Sequence, residues 1–492
     1  MQLEYLLGAG AAVLLIGVLG VRASSRVGLP ALLLFLGIGV VIGEAGLGLR
    51  FSNAKLTEQL GIAALVLILT EGGLSTRWRS VRPALGLGVA LATVSVVVSI
   101  AVVGAAVNLV LGLDWRIALL WGAVLSSTDA AAVFSVLRTL AVRRRLVGAL
   151  ELESGMNDAP VVIAVTVLAG PDSIPWWTPA TVLYELGVGA AVGALLGFGG
   201  AWALRRIALP STGLYPVSAV AVCVLSFSSG QLLHASGLLA TYVCALVLGN
   251  AALPHRGATL SFAEGTGWLA QIGVFVLLGV YVAPQRLPGA IVDAVVIGLV
   301  LLVVARPLSV VVAALPLRIP WREQAFLSFA GLRGAVPIVL ATIPLVNGVI
   351  GAERLLDVVF VLVVVFTLIQ GTSLPWVARR LKVTVTGEMQ EVSVDAAPLE
   401  NLGADLLQVQ IPPGSRLHGV YLGELRLPKG ATVSLVVREG SGFTPDAGTR
   451  LRRGDQILVV TTTAVRNVTE ARIRAVDAGG RLARWRGVTG EP

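Results

Sequence analysis

Four carboxylates stand inside apolar stretches of this chain, where a charge is costly and therefore informative. Glu71 lies in GIAALVLILTEGGL and Asp129 in ALLWGAVLSSTDAAAVF, while Glu153 and Asp158 share ELESGMNDAPVVIAV. A charged Asp or Glu near the centre of a membrane-spanning helix costs roughly 2.5–3.5 kcal/mol or more, so such residues mark an ion or proton path. Ser154 and Asp158 are four apart, hence on one helical face, with Asn157 beside them. Together they present a hydroxyl, a carboxamide and a carboxylate, all oxygen donors suited to a hard monovalent cation. Asp158 then holds a proton or a cation but not both, which is the minimum an exchanger needs. Pro160 has no N–H, so the Met156 carbonyl loses its usual helical partner. Thr128 and Asp129 belong to a Ser-Ser-Thr-Asp run whose side chains compete with backbone hydrogen bonds, so local unwinding there frees further oxygen ligands.

A fourth buried carboxylate needs a cation of its own. Arg333 in GLRGAVP and Arg306 in VVARPLSVV are the basic residues deep in apolar stretches. The expected structural ion pair is Glu153 with Arg333, and Arg306 is the second choice. Pro337 also frees the carbonyl of Arg333.

The elements that must position these residues are helices in a membrane. Hydrophobic residues make up 56% of the 492, mean hydropathy is +0.87, and charged residues are 13%, against about 25% in soluble domains. About thirteen apolar stretches long enough to span, at about 20 residues each, recur between residue 3 and about residue 378. Taking the C-terminus as cytoplasmic puts Arg22, Arg26, Arg77, Arg79, Arg82, Arg138, Arg143, Arg144, Arg145, Arg205, Arg206, Arg256, Arg318, Arg322, Arg379, Arg380 and Lys382 inside. Outside remain Arg50, Lys55, Arg116, Arg286 and Arg354, the bias of the positive-inside rule. The N-terminus is then outside, and the net charge of +9 is a topology signal rather than a sign of nucleic-acid binding. The first apolar segment lacks the basic start of a cleavable signal. Cys223 and Cys244 fall in apolar stretches and read as small packed hydrophobes.

Residues 1–384 read as the membrane domain, 385–480 as a small cytoplasmic α/β domain and 481–492 as a flexible tail. LLQVQI, ATVSLVVR and DQILVVTTT are strand-like and NVTEARIRAV is helical. A weak repeat runs through the membrane part: residues 28–47 resemble 237–253, and SSTDAA (126–131) aligns with AGLRGAVP (330–337). Paired interrupted helices in two halves are the signature of inverted-repeat transporters, although Gly/Leu-rich segments also match by chance. Gly189, Gly193 and Gly197, spaced by four, allow close helix packing inside the chain or between two copies. With no metal motif, no nucleophile elbow and three histidines outside the apolar stretches, the chain does not read as an enzyme. No TVGYG filter supports a channel, and passive conduction does not need buried titratable groups.

ESGMNDAP, SSTDAAAVF, SGLLATYVCALVLGN and FLSFAGLRGAVP together resemble the monovalent cation:proton antiporters of the NhaP and sodium–proton exchanger group, over roughly residues 5–380. The resemblance implies an all-α polytopic fold of thirteen helices with inverted repeats, a dimerisation domain beside a mobile core, and hence a homodimer in the cell membrane. It gives Asp158 the role of shared proton and cation carboxylate, with Asn157 as partner. Thr128 and Asp129 fall in the family's unwound crossing helix, and Ser154 and Glu71 match cation-contacting positions. Asn-Asp rather than Asp-Asp resembles the electroneutral branch. Residues 395–475 resemble the TrkA C-terminal (RCK-C) type, and the combination is similar to the cell-volume-regulation subgroup of potassium/proton antiporters. Glu71 departs from the Asp expected there, which leaves potassium against sodium open. The tail resemblance implies regulation, with a small cytosolic ligand such as a cyclic dinucleotide. No cofactor is expected beyond transported potassium or sodium and protons.

Overall fold

The computed structural model describes residues 3–27, 30–44, 46, 48, 53–129, 142–171, 174–384, 394–399, 404–412 and 414–486. Residues 130–137 of one expected span, Arg50 and Arg138 of the charge bias, and residues 487–492 of the expected tail lie outside the described residues. The chain divides into two compact units, Met1–Thr384 and Val385–Pro492.

The described residues of the first unit are built mainly of helices. It begins with α1 (Leu3–Val27), α2 (Ala31–Ile42), α3 (Ala54–Ser75), α4 (Leu85–Ala92), α5 (Val94–Leu111) and α6 (Trp115–Ser126). Then follow α7 (Arg144–Met156), α8 (Asp158–Ala169), α9 (Thr178–Arg206), α10 (Leu214–Leu232), α11 (Gly237–Asn250) and α12 (Arg256–Tyr281). It closes with α13 (Leu287–Val300), α14 (Arg306–Ala314), α15 (Trp321–Ala330), α16 (Ala335–Val346) and α17 (Ala352–Arg380). Among the described residues eight helical segments are long and apolar enough to cross a membrane, or nine if α15 and α16, bent by 57°, form one broken span. Length alone therefore does not reproduce the expected thirteen. Residues 7–22, α2, α6 and α11 are apolar but short, at 10–17 residues. Leu183, Leu195, Phe198 and Trp202 are exposed along α9, the surface of a helix whose solvent is lipid.

Local chemistry sets the helix ends. Asn53 accepts from the Leu56 N–H at 3.0 Å to start α3, and Asp114 accepts from the Arg116 N–H at 3.0 Å to start α6. Each supplies an acceptor to an amide that has none within its helix. The glycine stripe on α9 packs inside the chain. A Cβ on Gly189 would meet the Ser236 carbonyl at 2.6 Å, one on Gly193 would strike the Ala240 carbonyl, and one on Gly197 would meet Val247 at 2.8 Å. The stripe is thus the seat of α11, brought to backbone contact in the way small residues permit in membranes.

Among the described residues of the second unit, five antiparallel strands stand in the order β1-β2-β5-β3-β4. They are β1 (Val394–Leu399), β2 (Ala404–Gln410), β3 (Ala431–Arg438), β4 (Ser441–Phe443) and β5 (Gln456–Thr462). Glu439 and Gly440, with φ of 51° and 82°, make the two-residue turn between β3 and β4, the positive-φ geometry that suits a tight hairpin. Alternate residues Leu407 and Val409 on β2 and Ile457 and Val459 on β5 enter a core completed by Ile473 and Val476 of α18 (Arg466–Gly479). Residues 480–486, partly inside the expected tail, continue as a 3-10 helix.

The Asp455 carboxylate, fully buried, accepts from the Arg438 guanidinium at 2.8 and 2.9 Å and from the Arg452 N–H at 2.7 Å. Burial pushes its pKa up, but these hydrogen bonds and the two arginine charges pull it further down, so it ends below the usual value. A depressed folded pKa stabilises above the unfolded value and is lost as pH falls through the folded one. Asp455→Asn should therefore make the second unit more protease-sensitive near pH 7. Digestion of the two proteins should converge as pH falls below about 4, where the wild-type carboxylate also loses its charge.

Candidate ion-binding site

Two interrupted helices meet in the first unit. Helix α6 stops at Ser126 and residues 127–129 run on without helical bonding, while residues 331–334 separate α15 from α16. The two interruptions that the repeat aligned lie against each other, with the Asp129 N–H donating to the Leu332 carbonyl at 2.8 Å. The Arg333 guanidinium donates to the Leu125 carbonyl at 3.2 and 3.3 Å and to the Gly331 carbonyl at 2.6 Å. One cation thus covers the carbonyl ends of both α6 and α15. Across from it, the Asp129 carboxylate accepts from the Ala335 N–H at 3.3 Å, at the amide end of α16. Opposite charges at opposite helix ends are the favourable arrangement for the helix dipole. Gly334 is required there, because a Cβ would overlap the Asp129 carboxylate.

This geometry corrects the expected ion pair. Glu153 accepts from Arg306 at 2.7 Å, both buried, and not from Arg333. The physical reason is that Arg333 is engaged by helix-end carbonyls, while Arg306, which begins α14, reaches Glu153 on α7. Nor is the Arg333 carbonyl left open by Pro337, for the Thr367 hydroxyl of α17 donates to it at 3.2 Å.

The remaining carboxylate, Asp158, is 2% exposed in the first turn of α8. The Ser127 hydroxyl donates to its Oδ1 at 2.9 Å. Next to it, Asn157 Nδ2 donates to the Thr128 hydroxyl at 2.6 Å, and Thr128 and Ser154 hydroxyls stand 3.5 Å apart. The Asn157 Oδ1 is buried with no hydrogen-bond partner. Asp158, Asn157, Thr128 and Ser154, selected from the sequence, are therefore brought together, and Ser127 joins them. The Ser-Ser-Thr-Asp run contained that signal without telling which hydroxyl would face Asp158. An oxygen-only set with an unpartnered amide oxygen fits a monovalent cation as substrate.

Thr128, Ser154 and Asp158 of the cluster line a cavity of about 400 Å³. Glu71 of α3 lines it together with Asp129 and Asp158, and a glycine, Gly267, makes room for the Glu71 stem at 3.1 Å. Glu151, Tyr242 and Glu264 also line it and were not singled out from sequence. Only Glu151 had a cue, as a further carboxylate three residues before Ser154. Glu71 stands shortly before Arg77 and Arg79, Glu151 after Arg143, Arg144 and Arg145, and Glu264 after Arg256. The cavity therefore runs from Asp158 toward the helix ends that carry these arginines. Outside it, Asp293 pairs with Arg354 at 2.6 Å, Asp357 with Arg286 at 3.2 Å and Glu323 with Arg143 at 2.5 Å.

Residues 11–380 match the transmembrane sodium/hydrogen exchanger family, and residues 406–474 match the TrkA-C domain. The chain is 36% identical over 457 residues to the K(+)/H(+) antiporter NhaP of Alkalimonas amylolytica, covering 91% of this chain and 79% of that protein. It is 33% identical to the K(+)/H(+) antiporter NhaP2 of Shewanella oneidensis, over 92% of this chain and 80% of that one. Against the Na(+)/H(+) antiporter ApNhaP of Aphanothece halophytica identity is 30%, over 68% of each. The fold is similar to that of the sodium proton antiporter MjNhaP1 of Methanocaldococcus jannaschii, with a TM-score of 0.70 and 21% identity over 77% of this chain and 99% of that one.

Removing one member of a buried ion pair typically costs 3–5 kcal/mol, because the other is left charged and unpaired. Glu153→Gln and Arg306→Gln should each lower thermal stability in detergent by about that much, and the double variant should lose clearly less than the sum. The cycle of Glu153 with Arg333 should show weaker coupling than the cycle with Arg306.

Proposed function

The chain belongs to the sodium/hydrogen exchanger family, and from that premise we propose that it exchanges a monovalent cation, potassium in the first place, for a proton across the cell membrane. It is a multi-pass membrane transporter and not an enzyme. The observation that carries the reading is Asp158: a buried carboxylate, held by the Ser127 hydroxyl, that lines a cavity with other oxygen-bearing and apolar side chains. Protonated, Asp158 crosses neutral; ionised, it takes a cation with Asn157, Thr128 and Ser154, and Glu71 draws the cation in. Asp129 and Arg333 hold the crossing that moves, and Glu153 with Arg306 holds its frame.

Transport is electroneutral, because Asn157 precedes Asp158 and one titratable carboxylate is left in the pair. Each passage then carries one positive charge in either direction. Potassium is favoured by the names of the relatives from Alkalimonas and Shewanella, and the sodium antiporter from Aphanothece keeps sodium as the alternative. The arginine-bearing helix ends are cytoplasmic by the positive-inside rule, so the N-terminus is outside, the second unit is cytoplasmic and the cavity is the inward-facing access. The protein works as a homodimer. Its TrkA-C unit regulates transport in response to a small cytosolic ligand of the cyclic dinucleotide kind. A tail-gated channel is the competing reading from another class, and it has no need of Asp158.

In ion-tight liposomes, potassium or sodium added outside should collapse an imposed pH gradient, and membrane voltage should leave the direction of net exchange unchanged. Asp158→Asn keeps the shape and removes the charge, so exchange should vanish in a protein that still purifies as a folded species. A folded Asp158→Asn protein that still exchanges would sink the assignment.

A further inference from the structure

Among the described residues the membrane unit matches its most buried carboxylates with partners, and Glu151, half-buried, faces the site without one. Glu153 has Arg306, Asp293 has Arg354, Asp357 has Arg286 and Glu323 has Arg143. Asp129 accepts from the Ala335 N–H and Asp158 from Ser127. Glu151, half-buried in α7, takes part in no hydrogen bond or ion pair with any described residue. An ionisable group left unmatched in the membrane interior is costly, and such groups lie on ion or proton pathways by default.

Position gives that pathway a direction. Glu151, Ser154 and Asp158 are three and seven residues apart, on one face of α7 and its continuation α8, and all three line the cavity. Seven residues of helix set Glu151 about 10 Å from Asp158 toward the arginine-bearing end. Between them Gly155 has no side chain, and the Tyr242 ring of α11 lies in the space a Cβ would fill. The Tyr242 hydroxyl is buried, near enough to Thr76 and to Glu151 to interact with both. It places a hydroxyl beside the route from one carboxylate to the other.

The charged surroundings are all acidic on the cavity side. Glu71 on α3, Glu264 on α12, Asp129 and Asp158 face the same space, and among the described residues no Lys, Arg or His lines it. The turn at residues 78–84 that also packs on α7 carries Arg79 and Arg82, both exposed and neither lining the cavity. Glu323 of α15 is engaged by Arg143.

We infer that Glu151 is a second protonation station, through which Asp158 exchanges its proton with the inner solution; this rests on the proposed exchange at Asp158. Protonated Asp158 passes its proton through cavity water to the Glu151 carboxylate. Asp158 is left ionised and takes the cation, and neutral Glu151 then returns the proton to the inner solution. The departing proton thus leaves by Glu151 while the incoming cation takes its place at Asp158. Glu151 belongs to the inward-facing cavity, so it governs the inner-side pH dependence and not the outer one.

Full-length protein in ion-tight liposomes, with inner-side and outer-side pH varied separately and potassium as the driving ion, tests this. Glu151→Gln should slow exchange and displace the midpoint of the inner-side pH profile by about one pH unit, with the outer-side profile and the cation KM changed little. Glu151→Asp should restore the wild-type profile at least in part. Asp158→Asn, by contrast, abolishes exchange at every pH, so failure of the two assignments is separable. Any of three results overturns the inference: an unchanged inner-side profile, a raised KM as the sole effect, or equal shifts on both sides. Failure of both Glu151 variants to fold would make Glu151 structural and would equally overturn it.

Discussion

A helix interrupted inside a membrane exposes carbonyls and amides that no water can satisfy, and the rest of the first unit depends on how that is resolved at one crossing. Arg333 reaches two carbonyl ends, those of α6 and α15, and Asp129 reaches the amide end of α16. Backbone groups thus hold both side chains, each at the helix end that suits its charge. Gly334 lets the Asp129 carboxylate sit where a side chain would stand. Next to the crossing, Arg306 neutralises Glu153. These polar contacts are each expensive to leave unmade in a low dielectric, which fixes the crossing far more tightly than apolar packing alone would.

The ion site is a consequence of the same interruption. Once α6 ends at Ser126, the hydroxyls of Ser127 and Thr128 turn to Asp158 and Asn157 instead of back to their own helix. The segment that carries site ligands therefore also carries the contact to the other broken helix, through Asp129 and Leu332. A shift of the crossing moves the ligands, and a change of occupant at Asp158 acts on the crossing. That is the physical link an alternating-access exchanger needs between its ion and its conformation.

Much of this was legible in residues whose placement is costly. Buried carboxylates and the four-residue spacing of Ser154 and Asp158 pointed to the cluster before any fold was known. The partner of Glu153 was not legible, because Arg306 and Arg333 sit in equally apolar surroundings and the choice is made by a tertiary crossing. Asp129 was readable as a polar break, but its position at a helix N-terminus requires α16, 206 residues away at Ala335. Glu151 is less legible because it stands at the start of its apolar stretch, six residues after Arg145, while the wall it faces is built by α3, α11 and α12. In the second unit the alternating β2 and β5 were clear from pattern. Strand β1, VDAAPL, has no alternation and a proline, as befits its place at the sheet edge.

The central claim is that one carboxylate serves both ions by turns. Its most direct measurement is proton release from purified full-length protein, in weak buffer, as potassium or sodium is added at a series of pH values. Competition at Asp158 predicts about one proton released per cation bound where Asp158 is protonated, with apparent cation affinity falling about tenfold per pH unit on the acid side. Asp158→Asn should release none. Cation binding that is independent of pH and releases no proton would contradict a shared site.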